Sequence, residues 1–279
     1  MADGSDAGEV ASVIRDTDWT LLGLTVIHLD VRPPNAVRQR RAAIERSSGK
    51  LLLLLDDDVV LESACLEEMV AVLQLDSQAV AVTADFNNQN WSGPTTLWRW
   101  YLRWCCGLAA GEWQGRVIGP LLRFGYHPVP NYPVSMDWLG AGNSLIMRSA
   151  YESVGGFSDF FLHRCTMNED VDLGLKLGRV GRIFLCPRAR MAHLHALGGR
   201  VSVAVAAEDD LFNRYLVLQR TCGRPTAIAL SLVVLFFLIE TVGNFAGCVR
   251  HLRGNGSGAR LVGRLRALFR IVGSVTLPK

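Results

Sequence analysis

Two hydrophobic periods alternate along the N-terminal third of the chain. Gly8–Asp16 (GEVASVIRD) has the spacing of a short helix. Leu22–Leu29 (LGLTVIHL) is apolar and β-branched enough for a strand, which Val31–Pro34 breaks. Ala36–Ser48 returns to helical spacing and stops at Gly49. Leu51–Leu55 is five consecutive leucines, the pattern of a strand buried on both faces. Glu62–Leu75 carries Leu66, Met69, Val70 and Leu73 on one helical face, and Val80–Ala84 is the next strand. This alternation predicts an α/β fold, a mostly parallel sheet flanked by helices. Ligands of such sheets bind beyond the carboxyl ends of the strands.

Farther along the pattern loosens. Six of the seven tryptophans, at 91, 98, 100, 104, 113 and 138, share a segment with the Pro- and Gly-rich run GPLLRFGYHPVPNYPVSMDW. By base rate these rings are packing; the functional alternative is a lid or a sugar-stacking platform, with Trp138 the candidate. LGAGNSLIMRSAYESVGGF follows, and Gly140, Ala141 and Gly142 allow backbone to approach a ligand closely. In HRCTMNEDVDLGLKLGRVG, Glu169, Asp170 and Asp172 precede an amphipathic helix. They read either as favourable charge at a helix N-terminus or as chemistry. IFLCPRARMAHLHALGGR gives a short strand, a proline, then His193 and His195, which taken singly are structural histidines.

The C-terminal end changes the picture again. Thr226–Ile239 (TAIALSLVVLFFLI) is continuously apolar, yet its fourteen residues fall short of the roughly 20 that span a bilayer as a helix. Extending it to Gly247 brings in Glu240 and Asn244. It reads as a buried or dimer-forming helix, or as a spanning or re-entrant segment. Leu261–Val275 sets Leu261, Leu265, Leu268, Phe269 and Val272 beside Arg260, Arg264 and Arg270, the pattern of a helix lying along a membrane surface. Two units are expected: 1–222, and a membrane-associated 223–279.

Composition supports that division. The chain is 49% hydrophobic, with a mean hydropathy of +0.21. Its net charge of +3 conceals a basic tail: Arg250–Lys279 holds seven of the 29 basic residues and no acid. An acidic body with a basic tail argues against nucleic acid as a partner and for anionic lipid. Seven cysteines without a CxxC pair argue against zinc and a disulfide framework. The acidic start MADGSDAGEV carries no secretory signal. The expected location is the cytoplasmic side of the cell membrane, with the chain peripheral or anchored through its C-terminal segment.

Three aspartates ending a strand at 56–58 repel one another and gain nothing structurally, so a positive partner is expected. The order strand–DDD, GAGNS, NEDVDLGLKLGRVG and PRARMAH resembles glycosyltransferase family 2, nucleotide-sugar enzymes of the GT-A fold, from about Asp3 to Tyr215. The resemblance implies a divalent cation, Mg²⁺ or Mn²⁺, held by Asp58 and His193 with Asp56 close by, at the diphosphate of a nucleotide-sugar donor. It places Asp3, Asp6, Arg40, Asp56, Asp57, Gly142 and Asn143 at the donor, and Trp138 at a glycan or lipid-linked acceptor. Asp170, with Glu169 beside it, becomes the catalytic base of an inverting transfer, and Arg200 matches an arginine that follows the family histidine. The family opens with a strand and helix absent before Met1, so the resemblance implies an N-terminal truncation, with Ala2 in the place of an aspartate. Arg41 stands where an asparagine is usual, and Ser158–Asp159 where Asp-Glu is usual. Two other readings remain: a non-catalytic truncated relative, and a haloacid-dehalogenase-type phosphohydrolase. The second lacks a lysine at the required place, since Lys176 follows the acidic cluster.

Overall fold

A computed structural model describes residues 1–4, 9–89, 93–109, 111–119, 121–125, 132–162, 166–194, 201–251 and 256–276. The chain opens with β1 (Ala2–Asp3), α1 (Glu9–Asp16), β2 (Leu29–Asp30) and α2 (Ala36–Arg46). The strand expected over Leu22–Leu29 reduces to Leu29–Asp30, which pairs in parallel with β1. The reason is burial: Leu24 and Ile27 are exposed, so no sheet face rewards extending the segment. Asn35 caps α2, its Oδ1 accepting the Arg38 N–H (2.9 Å), while its side-chain amide donates to the Phe161 carbonyl (3.0 Å).

The leucine run forms β3 (Leu51–Leu55), and the chain turns through the aspartates into β4 (Val59–Leu61), α3 (Cys65–Leu75) and β5 (Ala79–Phe86). Next come α4 (Thr96–Trp104), the short β6 (Val117–Ile118) and β7 (Arg123–Phe124), β8 (Val134–Met136), β9 (Asn143–Met147) and α5 (Arg148–Ser153). The last part comprises α6 (Glu169–Leu177), β10 (Arg182–His193), α7 (Val203–Leu216), α8 (Thr226–His251) and α9 (Ser257–Thr276).

The α/β class is as expected, with helices on both faces of a central sheet. Among the described residues that sheet has the order β3-β9-β5-β10-β4, with β8 also on β10. It is mixed rather than mostly parallel. β5 and β10 run parallel, but β9 inserts antiparallel between β3 and β5, and β4 and β8 pair antiparallel with β10. β10 also corrects the expectation of a short strand ended by a proline. It runs straight past Pro187, because the pairing with β5 is broken between Cys186 and Arg190, and a bulge is where a residue without an N–H is tolerated.

Alternate residues of each strand feed two cores. Leu52, Leu54, Ile146, Ile183 and Leu185 face the larger one, and Leu145, Val82, Phe184 and Cys186 face the smaller one under α3. The C-terminal helices belong to the larger core: Ala229, Val233 and Phe236 of α8 and Ala267 and Ile271 of α9 are buried in it. Gly263 lets α9 approach α7 closely, since a Cβ there would collide with the Ala204 carbonyl. Arg270 of α9 pairs with Asp209 of α7 at 3.0 Å.

One polar cluster locks α4, α8 and α9 together. The Trp98 indole, 1% exposed, donates to Glu240 Oε1 (2.5 Å). The Arg264 guanidinium donates to the other oxygen (2.8 Å) from a side chain only 8% exposed. Glu240→Ala would leave that cation and that indole N–H buried without their partner. Such a loss costs about 3–5 kcal/mol, to be read as a lowered urea midpoint. A midpoint within error of wild type would show the cluster to be energetically idle.

Candidate active site

Strand register assembles the site. Leu55 of β3 pairs with Asn143 of β9, so the next residue along, Asp56, meets Gly142 and donates its N–H to the Gly142 carbonyl (3.2 Å). Val59 of β4 pairs with His193 of β10, so the preceding Asp58 lies beside the imidazole, with Asp58 Oδ1 3.0 Å from His193 Nε2. Residues 135 positions apart in the sequence thus become neighbours through one antiparallel pairing. Potential ligand atoms of Asp56, Asp58 and His193 all lie within 4.8 Å of one another. Two hard carboxylates and one imidazole suit a divalent cation such as Mn²⁺ or Mg²⁺.

The imidazole is oriented from behind. Gln89 Nε2 lies 2.7 Å from His193 Nδ1, and the Phe86 ring stacks on it with centroids 5.3 Å apart. Asn88 clasps the His193 main chain, its Oδ1 accepting the N–H (3.0 Å) and its amide donating to the carbonyl (2.9 Å). Outer partners of this kind fix the tautomer and ring direction of a ligating histidine. Sequence reasoning missed Phe86, Asn88 and Gln89. The available signal was their position immediately at and beyond the carboxyl end of β5.

These groups open into a cleft of about 350 Å³ whose lining includes Arg40, Asp56, Gly142, Asn143, Glu169, Asp170 and His193, with Thr83, Phe86, Gln89 and Trp138. Gly142 leaves room for the Asp56 carboxylate, which a Cβ there would displace. Asn143 donates its amide to the Ala84 carbonyl (2.7 Å), while its Oδ1 is buried without a partner. Trp138 lines the cleft but is only 6% exposed, its indole N–H donating to the Gly125 carbonyl (2.9 Å). Asp57 is exposed on the turn and is not part of the lining. Asp3 is also outside the lining, at β1, with Oδ2 3.2 Å from His28 Nε2. Asp6, His195 and Arg200 fall outside the described residues.

Arg40 joins the two acidic segments. Its guanidinium donates to Asp56 Oδ1 (2.8 Å) and Glu169 Oε1 (3.2 Å). Burial pushes the Glu169 carboxyl up to about 8, helped by the charge of Asp170 and outweighing the opposite pull of Arg40. Burial likewise carries Asp170 up to about 6. Asp172, two residues on, is not in the cleft. It is fully buried and held by Ser158 (2.6 Å), Thr221 and Lys176 (3.3 Å), a structural ion pair.

The acids are presented by a left-handed turn. Asn168 has φ +71° and is buried at the start of α6. Its amide donates to Asp210 Oδ1 (2.9 Å) and to the Asp210 carbonyl (3.1 Å), and Asn213 donates to the Met167 carbonyl (2.9 Å). Asp210 is in turn held by Arg214 at 2.9 Å. Helix α7 therefore fixes the point from which Glu169 and Asp170 project.

The chain belongs to glycosyl transferase family 2, whose model matches residues 2–152. No curated protein sequence matches it. Solved structures similar to it include GalNAc-T7 with UDP, GalNAc and Mn²⁺, at TM-score 0.50 and 14% identity over 80% of this chain and 44% of that one. The chain thus spans less than half of GalNAc-T7. It is also similar to the mannosyltransferase PcManGT from Pyrobaculum calidifontis, in complex with GDP-Man and Mn²⁺. There the TM-score is 0.51 and the identity 13%, over 95% of this chain and 76% of that one. A third is S. aureus TarS 1-349 with UDP-GlcNAc, at TM-score 0.52 and 11% identity over 97% and 71%. These likenesses show the fold, and family membership sets the phosphohydrolase reading aside.

Asn168→Ala and Asn168→Gly separate backbone from side chain at this turn. Both lose the Asp210 bonds, but alanine also incurs the left-handed penalty of about 1–2 kcal/mol. The glycine variant should unfold at the higher urea concentration, with both below wild type; equal midpoints would contradict the role of the turn.

Proposed function

We propose that this chain is a metal-dependent, inverting glycosyltransferase that moves a sugar from a nucleotide-sugar donor to a hydroxyl of a glycan or lipid-linked acceptor. The observation that carries this reading is that Asp56 and His193, two members of the cluster they form with Asp58, line one cleft with the Glu169–Asp170 pair. The Mn²⁺ and nucleotide or nucleotide sugar in two of the similar structures support a donor bound through a divalent cation. Asp56, Asp58 and His193 would hold Mn²⁺ or Mg²⁺, which when bound supplies positive charge for the leaving diphosphate.

The remaining roles follow from the chain's own groups. Asp170 accepts the proton of the attacking hydroxyl; a base with a pKa raised toward neutrality is suited to this. Arg40 bonds both Asp56 and Glu169 and holds them in place. Gly142 lets backbone lie against the donor, and Asn143 offers its unpartnered Oδ1 nearby. The Trp138 edge in the cleft is the wall nearest an acceptor's sugar face.

Thr226–Gly243 is long and apolar enough to cross a membrane. Leu235, Leu238 and Val242 of this helix are exposed, as are Trp100 and Trp104 of α4 and Phe269 of α9. We therefore place the enzyme on a membrane through these side chains. Cutting the chain at 224 would tear Phe236 and Ile271 out of the core, so side-chain substitution is the cleaner probe.

Asp170→Asn should lower kcat by about 10²–10⁴-fold while donor affinity stays unchanged. Asp58→Ala should abolish the Mn²⁺-dependent part of donor binding. In the wild type, kcat should fall as the pH drops through about 6, where Asp170 takes up its proton. Wild-type turnover in Asp170→Asn, or Mn²⁺-dependent affinity retained in Asp58→Ala, removes the corresponding role. The full chain should float with phosphatidylglycerol-containing vesicles, and a Trp100→Ser, Trp104→Ser, Phe269→Ser variant should float several-fold less; equal flotation would refute the membrane face.

A further inference from the structure

A second cavity, of about 480 Å³, lies at the other end of α6. It shares no lining residue with the catalytic cleft. Asp170 and Lys176, one in each lining, are six positions apart on α6, or about 9 Å along its axis. Four cations line the second cavity: Arg41 from α2, Lys176 and Arg179 from the end of α6, and Arg220 from the π-helical turn Val217–Thr221. Asp159 is the one acid among its described lining residues.

The charges do not cancel. Lys176 answers the buried Asp172, and Arg41 pairs with Asp159. Arg179 and Arg220 have no carboxylate among the described residues. Arg179 donates to the Thr221 carbonyl, and Arg220 lies 5.7 Å from the centroid of the Phe160 ring. Two exposed guanidinium groups without acids, on the rim of an open cavity, offer the forked donors that bind phosphate oxygens in pairs. Phe157 and Phe160 supply an apolar wall beside them. The turn that carries Arg220 leads directly into α8, and Gln219 ties it there by donating to Thr226 Oγ1 (2.9 Å). The cavity therefore stands at the foot of the apolar helix.

We propose that this cavity is a second, metal-independent anion site that takes the phosphate of a phosphate-bearing ligand through Arg179 and Arg220. The ligand is either the headgroup of a phospholipid reached at the foot of α8 or a soluble phosphate ester. The site is separate from the donor cleft and stands whether or not the transferase reading holds.

The test uses the full chain in EDTA, where the metal-dependent cleft is silent. Inorganic pyrophosphate is titrated by calorimetry, and vesicles of phosphatidylcholine with or without phosphatidic acid are tested by flotation. Wild type should bind pyrophosphate or gain flotation from phosphatidic acid. An Arg179→Gln, Arg220→Gln variant should lose at least about tenfold in that response, and Asp58→Ala should lose none. An Arg179→Lys, Arg220→Lys variant should keep part of it, since charge remains but the fork is gone. A response to pyrophosphate assigns a soluble ligand, and a response confined to phosphatidic acid vesicles assigns the lipid headgroup. No metal-free response to either probe, an undiminished response in the glutamine variant, or a loss caused by Asp58→Ala overturns the proposal.

Discussion

The Arg40 guanidinium is the contact on which the rest of the site depends. Folding brings the acids at the end of β3 up to the acids at the start of α6, segments more than a hundred positions apart. Arg40 bonds to a member of each group and is itself largely enclosed, its side chain 17% exposed. It can do so because α2 is pinned: Asn35 caps the helix and also bonds the Phe161 carbonyl, so the start of α2 and the turn Asp159–Phe161 are fixed to one another. The bridged carboxylates are thus poised against a cation that lies on the same face of α2 as the buried Val37 and Ile44, three positions after one and four before the other.

The legible parts of this fold were those governed by local period. Leu51–Leu55, α2 and α3 were placed by their period, but the run expected to be buried on both faces exposes Leu51 and Leu55, and α3 buries Cys65, Met69 and Val72 while the expected Leu66 is exposed. The sheet's mixed direction was not legible, because the placement of β9 between β3 and β5 is a choice among long-range partners that no local pattern encodes. β10 was misjudged at Pro187 for a related reason: whether a proline ends a strand depends on whether the partner strand can accommodate a bulge. The segment 22–29 has strand composition but no sheet to join beyond its last residues.

The site was legible in a different way. Asp56, Asp58, His193 and Asp170 were singled out through a resemblance in motif order, and the register of β4 on β10 explains why that order brings Asp58 to His193. Composition and spacing alone left His193 a structural histidine and Glu169–Asp172 a helix-terminal charge cluster. Gln89 and Phe86, which orient the imidazole, carry no motif. Only the rule that ligands gather at the carboxyl ends of strands pointed toward them. The sequence left the apolar run of α8 open between a buried and a membrane segment and placed α9 on a membrane surface; Phe236 and Ile271 complete the main core, since apolar runs look alike whether they meet protein or lipid.

The run Glu169–Asp172 also divides one helix between two duties. Asp170 looks into the cleft, while Asp172, about 200° farther round α6, is sealed against Lys176, Ser158 and Thr221. The helix is therefore phase-locked. A single residue gained or lost within its first turn would rotate the remainder of the helix by about 100°, pulling the buried carboxylate out of its seal. Changes of length in this neighbourhood have to be absorbed before Asn168, in the loop that leads to the left-handed turn. The pitch of the helix itself thus constrains how this part of the chain can drift while both its chemistry and its packing survive.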